Sequence, residues 1–400
     1  MIVLPEFDKS AARQALRHDY LRGEAELVAA ARAALVADWD AVQLLAQQLI
    51  ERMQHASPSV RDVLLQIFPL SSSEGLALMR LAEAALRIPD DATLDRLLHD
   101  LLQHGDWHAA AQRARHWQAA LASRLLEFSQ WLERLADGGS LGDWFERAGH
   151  ATIRNGARRA VALLSADFVL GETIGQALLT SDNADQYRYS FDMLGEAALT
   201  YPDASAYFEA YKGAIEAVAL SRRGSPADKS VSIKLSALHP RYEWRNLPQL
   251  RHELLPLLAE LVLLARQHDV PLTLDAEEAD RLELSLDLFQ YLFRLPQLAD
   301  WSGLGLALQA YSRRALAQIE WLAQLARGSG RRIPLRLVKG AYWDSEIKRA
   351  QLAGQASYPV FTRKRHSEIV YYACAAKLLH EGDCFEPQFA THNACTAAYV

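Results

Sequence analysis

Cysteine is scarce. The 400-residue chain has three, Cys374, Cys384 and Cys395, all near one end and without C-x-x-C spacing. That excludes a disulfide framework and points to a reducing compartment. Glycine and proline are also sparse, at 20 and 14 residues, below the ~12% of ordinary chains. With half the residues hydrophobic and 23% charged, the composition is globular and helix-rich, and a disordered chain is excluded. An excess of positive charge is missing too: 43 basic residues face 49 acidic ones, for a net charge of −6. No basic face is evident, so nucleic acid is not an expected partner. No apolar run approaches the ~18 residues of a membrane span, and the start, MIVLPEFDKS, lacks the basic region of a signal peptide. The expectation is a cytoplasmic protein, with peripheral contact at the inner face of the cell membrane left open. G-x-S-x-G, the phosphate-cradling G-x-x-x-x-G-K-[ST], H-E-x-x-H and any Cys/His grouping are absent, and no metal site is expected.

What is present changes period along the chain. From about Glu24 to Leu135 the pattern is helical, with Trp39, Val42, Leu45, Leu49 and Met53 on one face. Ser71 and Glu74 form a capping box, Pro89 ends that helix and Gly105 the next. The Trp and Met residues at this spacing read as core. From about residue 185, short apolar stretches alternate with amphipathic helical ones. The stretches are YSFDML (189 to 194), VSIKLS (231 to 236), PLTLDAE (271 to 277), LGLALQAY (304 to 311), PLRLVKGAY (334 to 342) and PQFATH (387 to 392). Each reads as a buried parallel strand, and the alternation means an α/β fold.

A doubly wound sheet and a (β/α)8 TIM-type barrel both fit. The sheet usually carries G-x-G-x-x-G, and GLGLAL lacks its third glycine. The barrel predicts polar residues at the carboxyl ends of several strands. Glu196, Lys234, Asp275 with Glu277, Gln309 with Tyr311, Arg336 with Lys339, Tyr342 and Trp343, and Thr391 with His392 meet that expectation. Only six strands are present, so the native protein is expected to continue past Val400.

Lys234 in an apolar strand has three readings: a structural ion pair, a partner for a substrate carboxylate, or a Schiff-base nucleophile. Asp275 and Glu277 share a face while the chain stays extended. Gly340 would let a ligand approach the backbone, and Tyr342 and Trp343 offer flat rings. His392 reads as a general base, a ligand donor or a satisfied structural histidine.

Together, DMLGEAALT (192 to 200), SIKLSALHPRYE (232 to 243), LTLDAEEADRLELSLDLF (272 to 289), LALQAY (306 to 311), RLVKGAYWDSEIKRAQ (336 to 351), YPVFTRK (358 to 364) and QFATHN (388 to 393) resemble the proline dehydrogenase domain of bacterial bifunctional proline-utilisation flavoenzymes. The resemblance implies a helical arm over 1–60, a helical domain over 61–165 and a barrel over 166–400, incomplete at its carboxyl end. It implies FAD bound at the strand ends and L-proline oxidised to Δ1-pyrroline-5-carboxylate by hydride transfer to flavin N5, with electrons passed to a membrane quinone. By the same resemblance Lys234 pairs with the proline carboxylate, Asp275 and Tyr342 shape the pocket beside the flavin, and Arg336 sits near N5. Gln309, Val338, Lys339, Gly340, Ala341, Trp343, Thr391 and His392 contact FAD, and Glu196 belongs to a charged gate. A homo-oligomer is expected. The ribbon–helix–helix DNA-binding module of some members has no counterpart here, and the family's last two strands and an arginine-bearing helix are missing. A lyase or aldolase using Lys234, and an inactive fragment of a larger enzyme, are the alternatives.

Overall fold

The computed structural model describes residues 10–35, 37–55, 66–69, 72–73, 75–76, 90–102, 169–182, 187–193, 195, 197–221 and 229–400. Glu196, the Ser71/Glu74 capping box and the helix ends at Pro89 and Gly105 lie outside the described residues. Residues cluster into two compact units, Met1–Gln54 with Ser181–Val400, and His55–Thr180. The first opens with α1 (Ala11–Leu21), α2 (Glu24–Ala33) and α3 (Trp39–His55). The second contains α4 (Asp91–Leu102), and α5 (Ile174–Asp182) leads back into the first.

From there the strands are β1 (Tyr189–Asp192), β2 (Lys229–Ile233), β3 (Leu272–Leu274), β4 (Leu304–Gln309), β5 (Ile333–Val338) and β6 (Phe385–Phe389). Between β1 and β5 one long helix joins each pair: α6 (Tyr201–Ser221), α7 (Leu247–Gln267), α8 (Leu282–Phe293) and α9 (Ala315–Ser329). Helices α10 (Trp343–Leu352) and α11 (Lys364–His380) join β5 to β6, and α12 (Ala394–Tyr399) follows. The sheet order is β1 to β6, every pair is parallel, and consecutive strands are neighbours. The strands are buried, and their helix-facing side is apolar: Val231, Ile233, Leu272, Leu304 and Leu335 are fully buried there, as are Leu258 and Phe289 on the covering helices, whereas Ser232, Thr273 and Arg336 lie on the opposite, inner face. This burial is why the strands read as apolar stretches.

One side chain shows that the sheet curls. Arg336 on β5 donates to the Ser190 hydroxyl on β1 at 2.6 Å. Four inter-strand steps in a flat sheet would set those strands ~19 Å apart, far beyond an arginine's reach. The sheet therefore wraps around an interior, as in a TIM-type barrel, with six strands among the described residues.

The expected strands all form, but they stop earlier than the apolar stretches. Lys234 lies just past β2, where a short 3-10 turn (Leu235–Ala237) begins. Its backbone N–H donates to the Tyr211 hydroxyl at 3.1 Å, so the ladder does not continue. Likewise β3 ends at Leu274, one residue before Asp275.

Helix α1 packs on α9 and α2 on α11. Arg13 is fully buried over the Trp321 ring and donates to Asp287 Oδ1 and the Glu283 carbonyl, each at 2.8 Å. Helix α3 forms as its period predicts, yet the reading of its apolar face as core is corrected. Trp39 is 41% exposed, Leu45 45% and Met53 70%, and only Ala46 is buried. Helical spacing determines which residues share a stripe, not what covers it.

Candidate active site at the carboxyl ends of the strands

Asp192 ends β1, Lys234 follows β2, Asp275 follows β3 and Arg336 points inward from β5. The Lys234 ammonium meets both Asp192 oxygens, at 2.9 and 2.8 Å, and Asp275 Oδ2 at 3.1 Å. Asp275 Oδ1 accepts from Arg336 Nη1 at 3.3 Å. Arg336 Nη1 also donates to the Ser232 hydroxyl at 2.9 Å, and its Nε to Gln388 Oε1 at 3.3 Å. The Ser190 and Ser232 hydroxyls are themselves 3.1 Å apart. Two cations and two carboxylates thus converge from β1, β2, β3 and β5, and their charges balance.

Burial alone would lower the Lys234 pKa, but Asp275 and Asp192 outweigh it and raise the value above the ordinary lysine range. An amine nucleophile needs the opposite shift. The geometry therefore speaks against the Schiff-base reading of Lys234. Desolvation raises the Asp275 carboxyl above its usual range despite its two cationic neighbours. Burial also pushes the Tyr211 hydroxyl up to about 12, so it stays protonated while it accepts the Lys234 N–H.

Asp275 and Glu277 do not share a face. With the strand over at Leu274, the chain turns, and Glu277 accepts from the Ser236 N–H at 3.0 Å and from Arg281 at 2.8 Å. Its carboxyl is raised chiefly by burial. Gln309 is buried at the end of β4, and both ends of its amide are engaged. Its Nε2 donates to the Glu277 carbonyl at 2.8 Å, and its Oε1 accepts from the Ala341 N–H at 3.2 Å. It ties the loop after β3 to the loop after β5.

Val338 and Lys339 continue the pairing through their carbonyls, which accept from Ala310 and Tyr311 N–H at 2.8 Å each. Gly340 has φ of +131°, and a Cβ there would lie 2.4 Å from the Tyr311 ring. What the glycine accommodates in this structure is that ring. Tyr342 precedes α10, and its carbonyl accepts from the Glu346 N–H at 2.9 Å. Trp343 is 40% exposed, and its indole N–H donates to the Phe361 carbonyl at 2.9 Å. Tyr311, Lys339, Gly340, Trp343, Thr362 and Lys364 line an open groove of about 420 Å³. At the end of β6 the Thr391 hydroxyl accepts from the Asn393 N–H at 3.0 Å, and His392 is exposed. Of the expected site residues, Asp275 and Arg336 join Lys234 in one hydrogen-bonded cluster, whereas Gln309, Trp343 and Thr391 bond elsewhere.

Sequence reasoning missed Asp192, Ser190, Ser232 and Gln388. Ser232 and Lys234 are two apart, as are Ser190 and Asp192, and the period of two in VSIKLS and YSFDML would have found them. Gln388 had no such signal.

Parallel strands alternating with helices, curled so that charged tips meet at their carboxyl ends, define a TIM-type barrel of the enzyme kind. The family model described as "Proline dehydrogenase" matches residues 177–400, more than half of the chain. The chain belongs to the proline dehydrogenase family. It is 47% identical to the bifunctional protein PutA of Salmonella typhimurium over 378 residues, covering 89% of this chain and 28% of that protein. It is 42% identical to the PutA of Rhizobium meliloti over 409 residues, covering 99% of this chain and 33% of that one. A crystal structure of a mutant Proline Utilization A from Bradyrhizobium japonicum superposes with a TM-score of 0.71 at 40% identity, covering 100% of this chain and 40% of that one. The chain thus spans a third or less of the length of these two curated relatives. A second model, described as "DNA-binding domain of Proline dehydrogenase", matches residues 60–168. This conflicts with the expectation that nucleic acid is not a partner. That expectation rested on net charge and on the missing ribbon–helix–helix pattern.

Proposed function

We propose that this chain carries the proline dehydrogenase activity: FAD-dependent oxidation of L-proline to Δ1-pyrroline-5-carboxylate, with electrons passed on to a membrane quinone. The observation that carries the reading is the convergence of Lys234, Asp275 and Arg336 from three strands in a member of this family. The neighbouring groove suits FAD in its chemistry. Lys364 and Lys339, the latter paired with Glu368 at 3.6 Å in the same groove, offer cations for a diphosphate, Thr362 is a hydroxyl residue, and the half-exposed Trp343 offers a flat face. Arg336, Gln309, Val338, Lys339, Gly340, Ala341, Tyr342, Trp343, Thr391 and His392 would hold the cofactor. When bound, FAD supplies the two-electron acceptor that no side chain offers, taking a hydride at N5.

The chain's own residues bind and orient. Lys234 presents a fixed positive charge to the substrate carboxylate, which takes the place of Asp192 on the ammonium. Asp275 holds Lys234 and Arg336 in register and, with Tyr342, shapes the substrate pocket. Arg336, anchored by four partners, keeps a guanidinium aimed into the interior, where negative charge would develop during the reaction. The proline amine reacts unprotonated, so no side-chain base is invoked. Glu196 would belong to a gate over this site.

Contact with the quinone calls for peripheral approach to the inner face of the cell membrane. No helix among the described residues is long and apolar enough to cross one. The match at residues 60–168 supports DNA contact by that region, which a fluorescence-anisotropy titration with duplex DNA tests. For the main reading, the purified chain is loaded with FAD and L-proline is added without oxygen. Loss of the yellow absorbance with formation of the imine product is expected. A flavin-loaded chain that stays oxidised at high proline overturns the proposal.

A further inference from the structure

Glu24 is the first residue of α2, yet its carboxylate serves another helix. Oε1 accepts from the Thr362 N–H at 3.0 Å, Oε2 accepts from the Thr362 hydroxyl at 2.9 Å, and Oε1 also meets His366 Nδ1. These partners lie 338 and 342 residues away in the chain. The need for them is local. Helix α11 starts at Lys364, and the side chain of its N-cap residue, Arg363, makes no capping bond. A helix start favours negative charge, and Glu24 supplies it from outside while accepting the Thr362 N–H just ahead of the N-cap. Burial pushes its carboxyl up, but the bonds from His366 and Thr362 outweigh this and hold it below the ordinary range.

The segment it holds is one wall of the groove beside the charged cluster. Thr362 and Lys364 line it together with Lys339, Gly340, Trp343 and Glu368. On the barrel side the wall is pinned by the Phe361 N–H to the Tyr311 carbonyl at 2.8 Å and by the Trp343 indole to the Phe361 carbonyl at 2.9 Å. On the other side Glu24 is its anchor.

We propose that Glu24 is a positioning residue for the cofactor groove. The amino-terminal arm reaches through it to the wall formed by Thr362 and Lys364, so FAD affinity depends on a helix that touches no ligand. This rests on the FAD reading above.

The test compares Glu24→Ala and Glu24→Gln with Arg22→Ala, an arm variant whose partners, Asp19 and Glu26, are also in the arm. Two readouts are taken: the dissociation constant for FAD, and amide hydrogen exchange of residues 361–366 in flavin-free protein. Glu24→Ala should weaken FAD about tenfold, which corresponds to ~1.4 kcal/mol, and accelerate exchange in that segment. Glu24→Gln should fall between it and wild type, kcat at saturating FAD should be unchanged in both, and Arg22→Ala should match wild type. Glu24 variants with wild-type FAD affinity overturn the proposal, whether or not exchange changes. Equal weakening by Arg22→Ala also overturns it, since the effect would then be general to the arm. If wild-type protein binds no flavin, the functional reading fails, and the exchange contrast alone decides whether Glu24 holds the wall.

Discussion

Asp192 holds Lys234 with both carboxylate oxygens, at 2.9 and 2.8 Å, in the position that the proposed function gives to a substrate carboxylate. Because the Asp192 side chain is 42% exposed, it is a displaceable partner worth at most ~1 kcal/mol. Asp192→Asn should therefore tighten the binding of carboxylate ligands by up to about fivefold. Titration of the flavin-loaded chain with a proline analogue that is not oxidised measures this. Weaker binding in the variant would show that Asp192 supports Lys234 rather than competing for it.

Lys234→Met removes the ammonium and leaves Asp275, whose side chain is 15% exposed, with Arg336 alone. The variant should be destabilised by ~3 kcal/mol at neutral pH and should bind proline far more weakly. The Asp275 pKa is already raised by burial and would rise further. A carboxyl with a raised folded-state pKa binds more protons folded than unfolded, so stability falls as pH rises through that window. The deficit in Lys234→Met should shrink on acidification from pH 7 toward pH ~5, read from urea midpoints at each pH. A deficit that grows on acidification contradicts the account.

Tyr211 is 1% exposed, and its hydroxyl accepts the Lys234 backbone N–H. Tyr211→Phe leaves that donor unpaired, at a cost of about 1–3 kcal/mol. The wild-type phenol, raised to about 12, contributes stability below its ordinary pKa of ~10, and that contribution is lost as pH rises toward 12. Wild type should thus lose stability between these values more steeply than Tyr211→Phe does. Parallel pH profiles in thermal unfolding would refute this.

Gly340→Ala combines a positive φ with a Cβ 2.4 Å from the Tyr311 ring. It should cost at least ~2 kcal/mol and displace the Tyr311 ring, which lines the groove. Chemical denaturation and FAD affinity are the measurements, and a neutral result in both would mean that the ring shifts freely.

Much of this was legible in the sequence. The six strands and the helices α6 to α9 and α11 follow from local periodicity, while α10 was not read, and Lys234, Asp275 and Arg336 stood out as charged groups at the ends of apolar runs. Where the reading failed, it stretched a local pattern too far. Asp275 and Glu277 part because β3 ends at Leu274, and α3 keeps its apolar stripe exposed.

The amino-acid sequence by itself determined the alternation of strand and helix and the polar tips that mark one end of the sheet, because burial on both faces and helical spacing are properties of a few neighbouring residues. Tertiary structure alone decided which tips meet. Arg336 finds Ser190 across 146 residues, and Glu24 finds Thr362 across 338. Those meetings depend on how far the sheet curls and where the arm packs, and such distances in space are encoded in no single stretch of chain.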